Sequence, residues 1–564
     1  MNFDTSHDLQ IQYMITIIQD INVKEVIMII DDYQRCRHVE NSSLVELLCN
    51  VEKEYQFSSN KEKSEFLILL LEDLKTKDWN EKEENREMND CFMGVRVVKT
   101  QGVSIIKTLG RSLEGSDPIF TKKGIVTLVQ LAGLDESSQF KPTPTACEAL
   151  KCISNCIFLN NDTKTYLEQE NIISSCQSIL LQFEDQRLDI DFQFLICRIL
   201  FFMTVDRYDI IQDLIQSNIS HSIEKILSEN IHQLETPHFR QMIDPSVPIN
   251  PLTVTSEALK LLFNLMLFDA RQNSNEIASE HFKNCLTPIF HLLFKTPYAK
   301  TQPLIPPHSQ AIHALMQFSY TTIEEVWLAQ SEWISQLYDK QKDEHGFQFI
   351  VNTLVDVLDR AIHALIPEGD PDQDGVQQID SIIAPLLLVL TSLAEGNTLL
   401  KQLMVEAMLP NEKDRHKPVH EGHSLSAYLI RLMTSTMMPQ TRDATCETLF
   451  ILCDKDANKF TQQVGYGNAI GYLFNKGIPM QPPKREEENG KDINPITGQY
   501  MSSEPEKDLK DMTDEEKERE AERLFVLFER LKKTGIIDVE NPIAKAMRES
   551  DSRFEEIHSE SDDE

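Results

Sequence analysis

Glycine is scarce in this sequence, 18 of 564 residues. That scarcity weighs against β-sandwiches and nucleotide-binding α/β folds, which need glycine at turns and phosphate loops. The 11 cysteines show no framework spacing and no C-x-x-C pair. Cys152 and Cys156 lie closest together, inside an apolar run, so zinc and thioredoxin-type chemistry lose their usual signature. Positive charge is also short: Lys+Arg number 55 against 90 Asp+Glu, a net charge of −35. A chain this acidic is repelled by nucleic acid and anionic membrane surfaces, so neither is expected as a partner. No G-x-x-x-x-G-K-[ST], H-E-x-x-H or G-x-S-x-G occurs, which leaves no catalytic constellation and no cofactor or metal to expect. Apolar runs such as Ala384 to Leu390 fall far short of the ~20 residues that span a bilayer. Met1 to Asp4 lack the basic start of a signal peptide, and Asn2 excludes myristoylation. The expectation is a cytoplasmic, reduced, monomeric protein.

What the sequence does have is helical periodicity. Leu44, Leu47, Leu48 and Val51 recur at three and four, as do Phe66, Leu67, Leu70, Leu71 and Leu74, while period-2 alternation is rare. Breakers cluster at Pro237 to Pro251, Pro297 to Pro307, Pro367 to Gly375 and Pro479 to Pro483, as loops between helix groups do. An internal repeat runs through these helices. Glu148-Ala149-Leu150-Lys151 leads to Asn155 and Phe158, and Glu257-Ala258-Leu259-Lys260 leads to Asn264 and Leu267. Leaving out the proline-rich insertion 236–254, the copies lie two units of ~45 residues apart, within the armadillo and HEAT range. A weaker copy starts at Cys446-Glu447-Thr448-Leu449. The fold class expected is all-α, an armadillo/HEAT-type solenoid over residues 1–478, whose units bury one face against the next and leave a groove.

Beyond residue 483 the chain carries 25 acidic against 14 basic side chains. Residues 479–512 are expected as a flexible acidic linker and 536–564 as a largely disordered tail. Between them Thr513 and Glu516 form a capping box, and Ala521, Leu524, Phe525, Phe528 and Leu531 form one apolar stripe, so a helix is expected over 513–535. Its stripe must dock on the solenoid or on a partner. Asp370 to Gly375 match half of a calcium loop, but Gln377 and Ser381 stand at positions 8 and 12, so an acidic solvated loop is the better reading.

Several segments resemble the synembryn family (resistance to inhibitors of cholinesterase, class eight). They are Val464-Gly465-Tyr466-Gly467-Asn468-Ala469-Ile470-Gly471, Ile493-Asn494-Pro495-Ile496-Thr497-Gly498, the Met512-Thr513-Asp514-Glu515-Glu516 helix start, Leu429 to Thr434 and Leu449 to Cys453. They stand in family order. The resemblance implies a guanine nucleotide exchange factor and chaperone for heterotrimeric G-protein α subunits, in their GDP-bound and nucleotide-free states. The protein would be recruited through Gα to the cell cortex. The alternative is a solenoid adaptor with no effect on nucleotide exchange. The resemblance places the Gα C-terminal helix in the groove, with Lys107, Arg111, Asn155, Asn264, Arg431 and Arg442 as candidate contacts. Lys107 and Arg111, four apart on one helical face, either receive a carboxylate end or are solvated charges. Asn155 and Asn264 either bond a bound peptide or are satisfied within the core. Leu524, Phe525 and Phe528 are candidates for a Gα contact or for docking on the solenoid. Ser503, Thr513, Ser559 and Ser561, each with an acid three residues on, are candidate phosphosites.

Overall fold

The computed structural model describes Tyr33, residues 57–76, 98–478 and 487–503 save short stretches within them, and Thr513, Lys517 and Arg519. The chain divides into two compact units. The first takes Met1–Pro297 with Pro306–Val326, the second Tyr298–Ile305 with the rest. Among the described residues the main helices of the first are α1 Asn60–Thr76, α2 Val98–Leu109, α3 Lys122–Leu131, α4 Pro144–Leu159, α5 Ile172–Gln182, α6 Ile190–Thr204, α7 Ile219–Glu235, α8 Pro251–Gln272, α9 Leu286–Lys295 and α10 His308–Leu315. Shorter helices link them.

Local chemistry sets the starts of the key helices. The Thr143 hydroxyl accepts from Ala146 N–H, with Pro144 at the first helical position of α4. Asn250 and Thr253 form a reciprocal capping box on α8, again followed by proline, Pro251. Such caps satisfy the free N–H groups, and proline there loses nothing.

Apolar faces then stack. Helices α2, α4, α6, α8 and α10 pack in succession as one ladder, while α7 packs against both α8 and α9 behind it. Polar cross-links fix the ladder register. Thr100 and Thr145 hydroxyls meet at 2.7 Å between α2 and α4, and Asn264 Nδ2 donates to Thr204 Oγ1 at 2.7 Å between α8 and α6. This is the all-α, armadillo-type arrangement expected from the repeat.

The second unit repeats the device. Its helices are α11 Phe347–Leu365, α12 Ile379–Gly396, α13 Thr398–Met408, α14 Leu425–Leu432, α15 Pro439–Leu452, α16 Ala457–Val464 and α17 Tyr466–Asn475. Helix α12 lies along α15, with Thr391 and Thr448 hydroxyls 2.8 Å apart across the seam. Two helices, α8 and α12, are longer and more apolar than the sequence reading allowed, enough to cross a membrane by length and composition alone. In this structure they are core helices, 67% and 61% of the apolar windows being buried.

The linker expected over 479–512 also needs correction. Residues 493–503 are seated on the second unit as a strap. Ile493 and Tyr500 are 3% and 1% exposed. The strap needs two glycines. A side chain on Gly465, at φ +81°, would strike the Ile496 carbonyl, and one on Gly498, at φ +72°, would press on Val419.

One buried histidine makes the first unit acid-sensitive. His308, at the start of α10, is 6% exposed, with Nε2 2.9 Å from Thr296 Oγ1. Burial holds its pKa down at about 4, against ~6.5 unfolded. Between those values the unfolded chain takes a proton that the folded chain refuses. Stability therefore falls as pH drops from ~6.5 to ~4, by about 3 kcal/mol from this group. His308→Gln should flatten that limb in urea unfolding measured across the window.

Candidate functional site

The solvent face of the first unit's ladder carries charge at one end and aromatic surface along its middle. Lys107 of α2 reaches Glu148 of α4, and Lys151, one turn on, meets the same carboxylate at 3.1 Å. Burial alone would raise the Glu148 pKa, but the two ammonium groups outweigh it and hold it below the usual carboxylate value. Burial likewise opposes the charge on Lys151, yet Cys147, Glu148 and Asp191 of α6 raise its pKa. Cation and anion thus alternate across the ladder, with Glu148 held between the two lysines.

Next along α4 comes Asn155, half-buried. It has no hydrogen-bond partner among the described residues. One turn further Phe158 is 74% exposed, its ring 6.1 Å from that of Phe202 on α6, which in turn lies 5.7 Å from Phe201. The Arg198 guanidinium stands 5.7 Å from the Phe202 ring centre. On α8 the half-buried Phe263 ring is 5.9 Å from that of His313 on α10. An exposed phenylalanine costs solvation unless a partner covers it. This face, with the half-buried Asn155 amide beside it, can take the apolar side of an amphipathic helix.

The candidate residues separate here. Lys107 and Asn155 belong to this face. Arg111 is exposed but lies beyond the end of α2 at Leu109, so the shared helical face expected for the pair is absent. Asn264, though at the equivalent repeat position, is 7% exposed and donates to Thr204. In the second unit Arg431 donates to the His420 carbonyl at 2.6 Å and the Gly422 carbonyl at 3.0 Å, stacked 4.3 Å over the Tyr428 ring. Arg442 binds Asp443 at 2.9 Å and the Ser435 carbonyl at 3.3 Å. Both arginines are engaged in local structure.

In the acidic loop, Asp372 accepts from the Ser435 hydroxyl at 2.6 Å and from the Thr436 amide. Burial would raise its pKa, but these donors lower it to about 2. Among the described residues no group of three or more His, Cys, Asp or Glu could hold a metal ion. Leu524, Phe525, Phe528, Ser559 and Ser561 lie outside the described residues. Ser503 Oγ sits 3.1 Å from His416 Nδ1. Thr513 is exposed, and its carbonyl accepts the Lys517 N–H at 3.0 Å, a helical spacing.

Phe201, Phe202 and Arg198 were missed in the sequence. They sit in an almost wholly apolar helix, where periodicity does not distinguish a ladder face from a core face. Phe158 alone carried a signal, by its place at the end of the repeat.

The family model for the guanine nucleotide exchange factor synembryn, Ric8, matches residues 103–551. The chain therefore belongs to that family, which is described as a guanine nucleotide exchange factor family and whose curated relatives are named as chaperones. It is 24% identical over 462 residues to "Chaperone Ric-8A" of Gallus gallus, covering 77% of this chain and 81% of that protein. It is 23% identical over 460 residues to "Chaperone Ric-8A" of Xenopus laevis, with the same shares. Among solved structures, one titled for a phosphorylation switch between cadherin and beta-catenin aligns at 11% identity, over 75% of this chain and 84% of that one. Its TM-score of 0.35 is too low to bear on the fold, which rests on the packing above.

Proposed function

We propose that this protein binds heterotrimeric G-protein α subunits, promotes GDP release, holds the nucleotide-free state and assists folding of new α subunits. The single observation that carries the reading is the uncovered aromatic ladder face beside Asn155 and the Lys107–Glu148–Lys151 cluster. It has the chemistry for an amphipathic helix with an acidic end, and family membership supplies the class of partner. No nucleotide motif is needed. A factor that binds the empty state more tightly than the GDP state shifts the equilibrium by that difference alone. The protein would act as a monomer in the cytoplasm, brought to the cell cortex by its partner. Arg111, Arg431 and Arg442 remain proposed secondary contacts, and Ser503 and Thr513 proposed phosphosites.

The test is GDP release from purified Gα subunits, full-length and lacking the last helix residues. Release accelerated only for full-length Gα supports the reading. Tight binding without acceleration makes the protein an adaptor or a chaperone alone.

The two asparagines should divide. Asn155→Ala should leave thermal stability unchanged and weaken Gα binding. Asn264→Ala removes the buried donor to Thr204 Oγ1, and should cost about 1–2 kcal/mol of stability. Paired thermal melts and titrations with Gα read both.

A further inference from the structure

Helix α17 turns Tyr466, Ala469 and Leu473 into the second unit, where they are buried. One flank of the same helix stays uncovered. Gly467, Ile470, Gly471 and Phe474 recur there at three and four. Phe474 is 61% exposed, and Ile496 of the strap is 51% exposed. The strap joins this flank at its head, because Gly467 N–H donates to the Ile496 carbonyl at 3.4 Å. A side chain built on Gly471 would meet nothing within 4 Å, so the two glycines leave a shallow open trough on this flank beside Ile470 and Phe474, with Ile496 near its head at Gly467. Glycines at such a contact allow a second helix to come close.

The sequence supplies an occupant. The strap ends at Ser503, and the helix start at Thr513 is marked by the Lys517 to Thr513 bond. The nine residues between can reach about 30 Å. In the helix expected from the sequence, the apolar stripe Ala521, Leu524, Phe525, Phe528 and Leu531 would span about 15 Å, the length of the 10-residue α17. Tethering by so short a segment raises the effective concentration into the millimolar range.

We propose that in the free protein the helix beginning at Thr513 docks its stripe into the α17 trough, against Phe474 and Ile496. The contact covers the largest apolar exposure on α17 and the stripe together. It is independent of the proposed Gα function, because it belongs to the chain alone.

Hydrogen–deuterium exchange on the full-length chain without any partner tests this. Amides of 521–531 should exchange at least ~10-fold more slowly than those of 536–550. Phe474→Glu should abolish that protection while α15 and α16 keep theirs. Gly471→Leu fills the trough at an open helical position, where leucine favours the helix, and should release the stripe equally. Phe525→Glu with Phe528→Glu should in turn deprotect 466–475. The proposal is overturned if 521–531 are unprotected in the parent chain, as a stripe reserved for a partner protein would be. It is also overturned if neither Phe474→Glu nor Gly471→Leu changes their exchange. Protection that rises with protein concentration, alongside a dimer in sedimentation, would assign the trough to a second copy and overturn it too.

Discussion

Phe158→Asp should weaken binding to nucleotide-free Gα about 30-fold or more and lower stimulated GDP release in proportion at subsaturating concentration. The expected size is that of a central aromatic contact in an interface, at least ~2 kcal/mol. The folded chain should lose at most about 1 kcal/mol, from a carboxylate in the last turn of α4. Phe158 is 74% exposed, at the last turn of a helix capped elsewhere by Thr143. A charged carboxylate there stays in water when the chain is alone. It must be desolvated against the apolar side of a bound helix, which carries the penalty into the complex only. Phe202→Asp, half-buried beside it, should add stability loss to the same binding defect. Near-equal thermal midpoints for parent and Phe158→Asp, with a fall in the rate of labelled GDP release, is the expected pair of results. An unchanged release rate would remove the ladder face from the mechanism and leave Arg431 and Arg442 to be tested next.

The second large effect concerns the strap. Arg415→Ala should cost about 3–5 kcal/mol in the second unit. Arg415 is 1% exposed. Its guanidinium donates to the Gly498 carbonyl at 2.8 Å, to the Gln462 carbonyl at 3.3 Å and to Gln463 Oε1 at 2.7 Å. Its own carbonyl accepts the Tyr500 N–H at 2.8 Å. One side chain therefore ties the α16 end to the strap. Alanine leaves buried acceptors without donors and the volume of a buried arginine unfilled. Arg415→Lys should fail to rescue, since an ammonium cannot reproduce the planar fork that serves several acceptors. Urea unfolding gives the stability, and limited proteolysis should open new cleavage within 493–503. Resistance of that segment to protease in Arg415→Ala would show the strap held by its other contacts.

The sequence by itself determined the secondary structure and the repeat. Both are local. Three-and-four periodicity and clustered breakers act over a few residues, so they can be read in order along the chain. The co-linear motifs likewise carried the family. Tertiary structure decided which of two equivalent residues is free. Asn155 and Asn264 share a repeat position, but only α6 brings Thr204 under Asn264, 60 residues away, and nothing in the described chain does so for Asn155. Arg431 and Arg442 are candidate groove contacts by resemblance, and only the fold brings the His420, Gly422 and Ser435 carbonyls to their guanidinium groups. The strap was invisible for the same reason. Arg415 meets Gly498 across 83 residues of sequence, and a segment of polar, proline-containing chain carries no periodicity to announce that it is seated. Burial and hydrogen-bond partners at such distances belong to the packed molecule, because a side chain's partners are chosen by which faces stack and not by its neighbours in the chain.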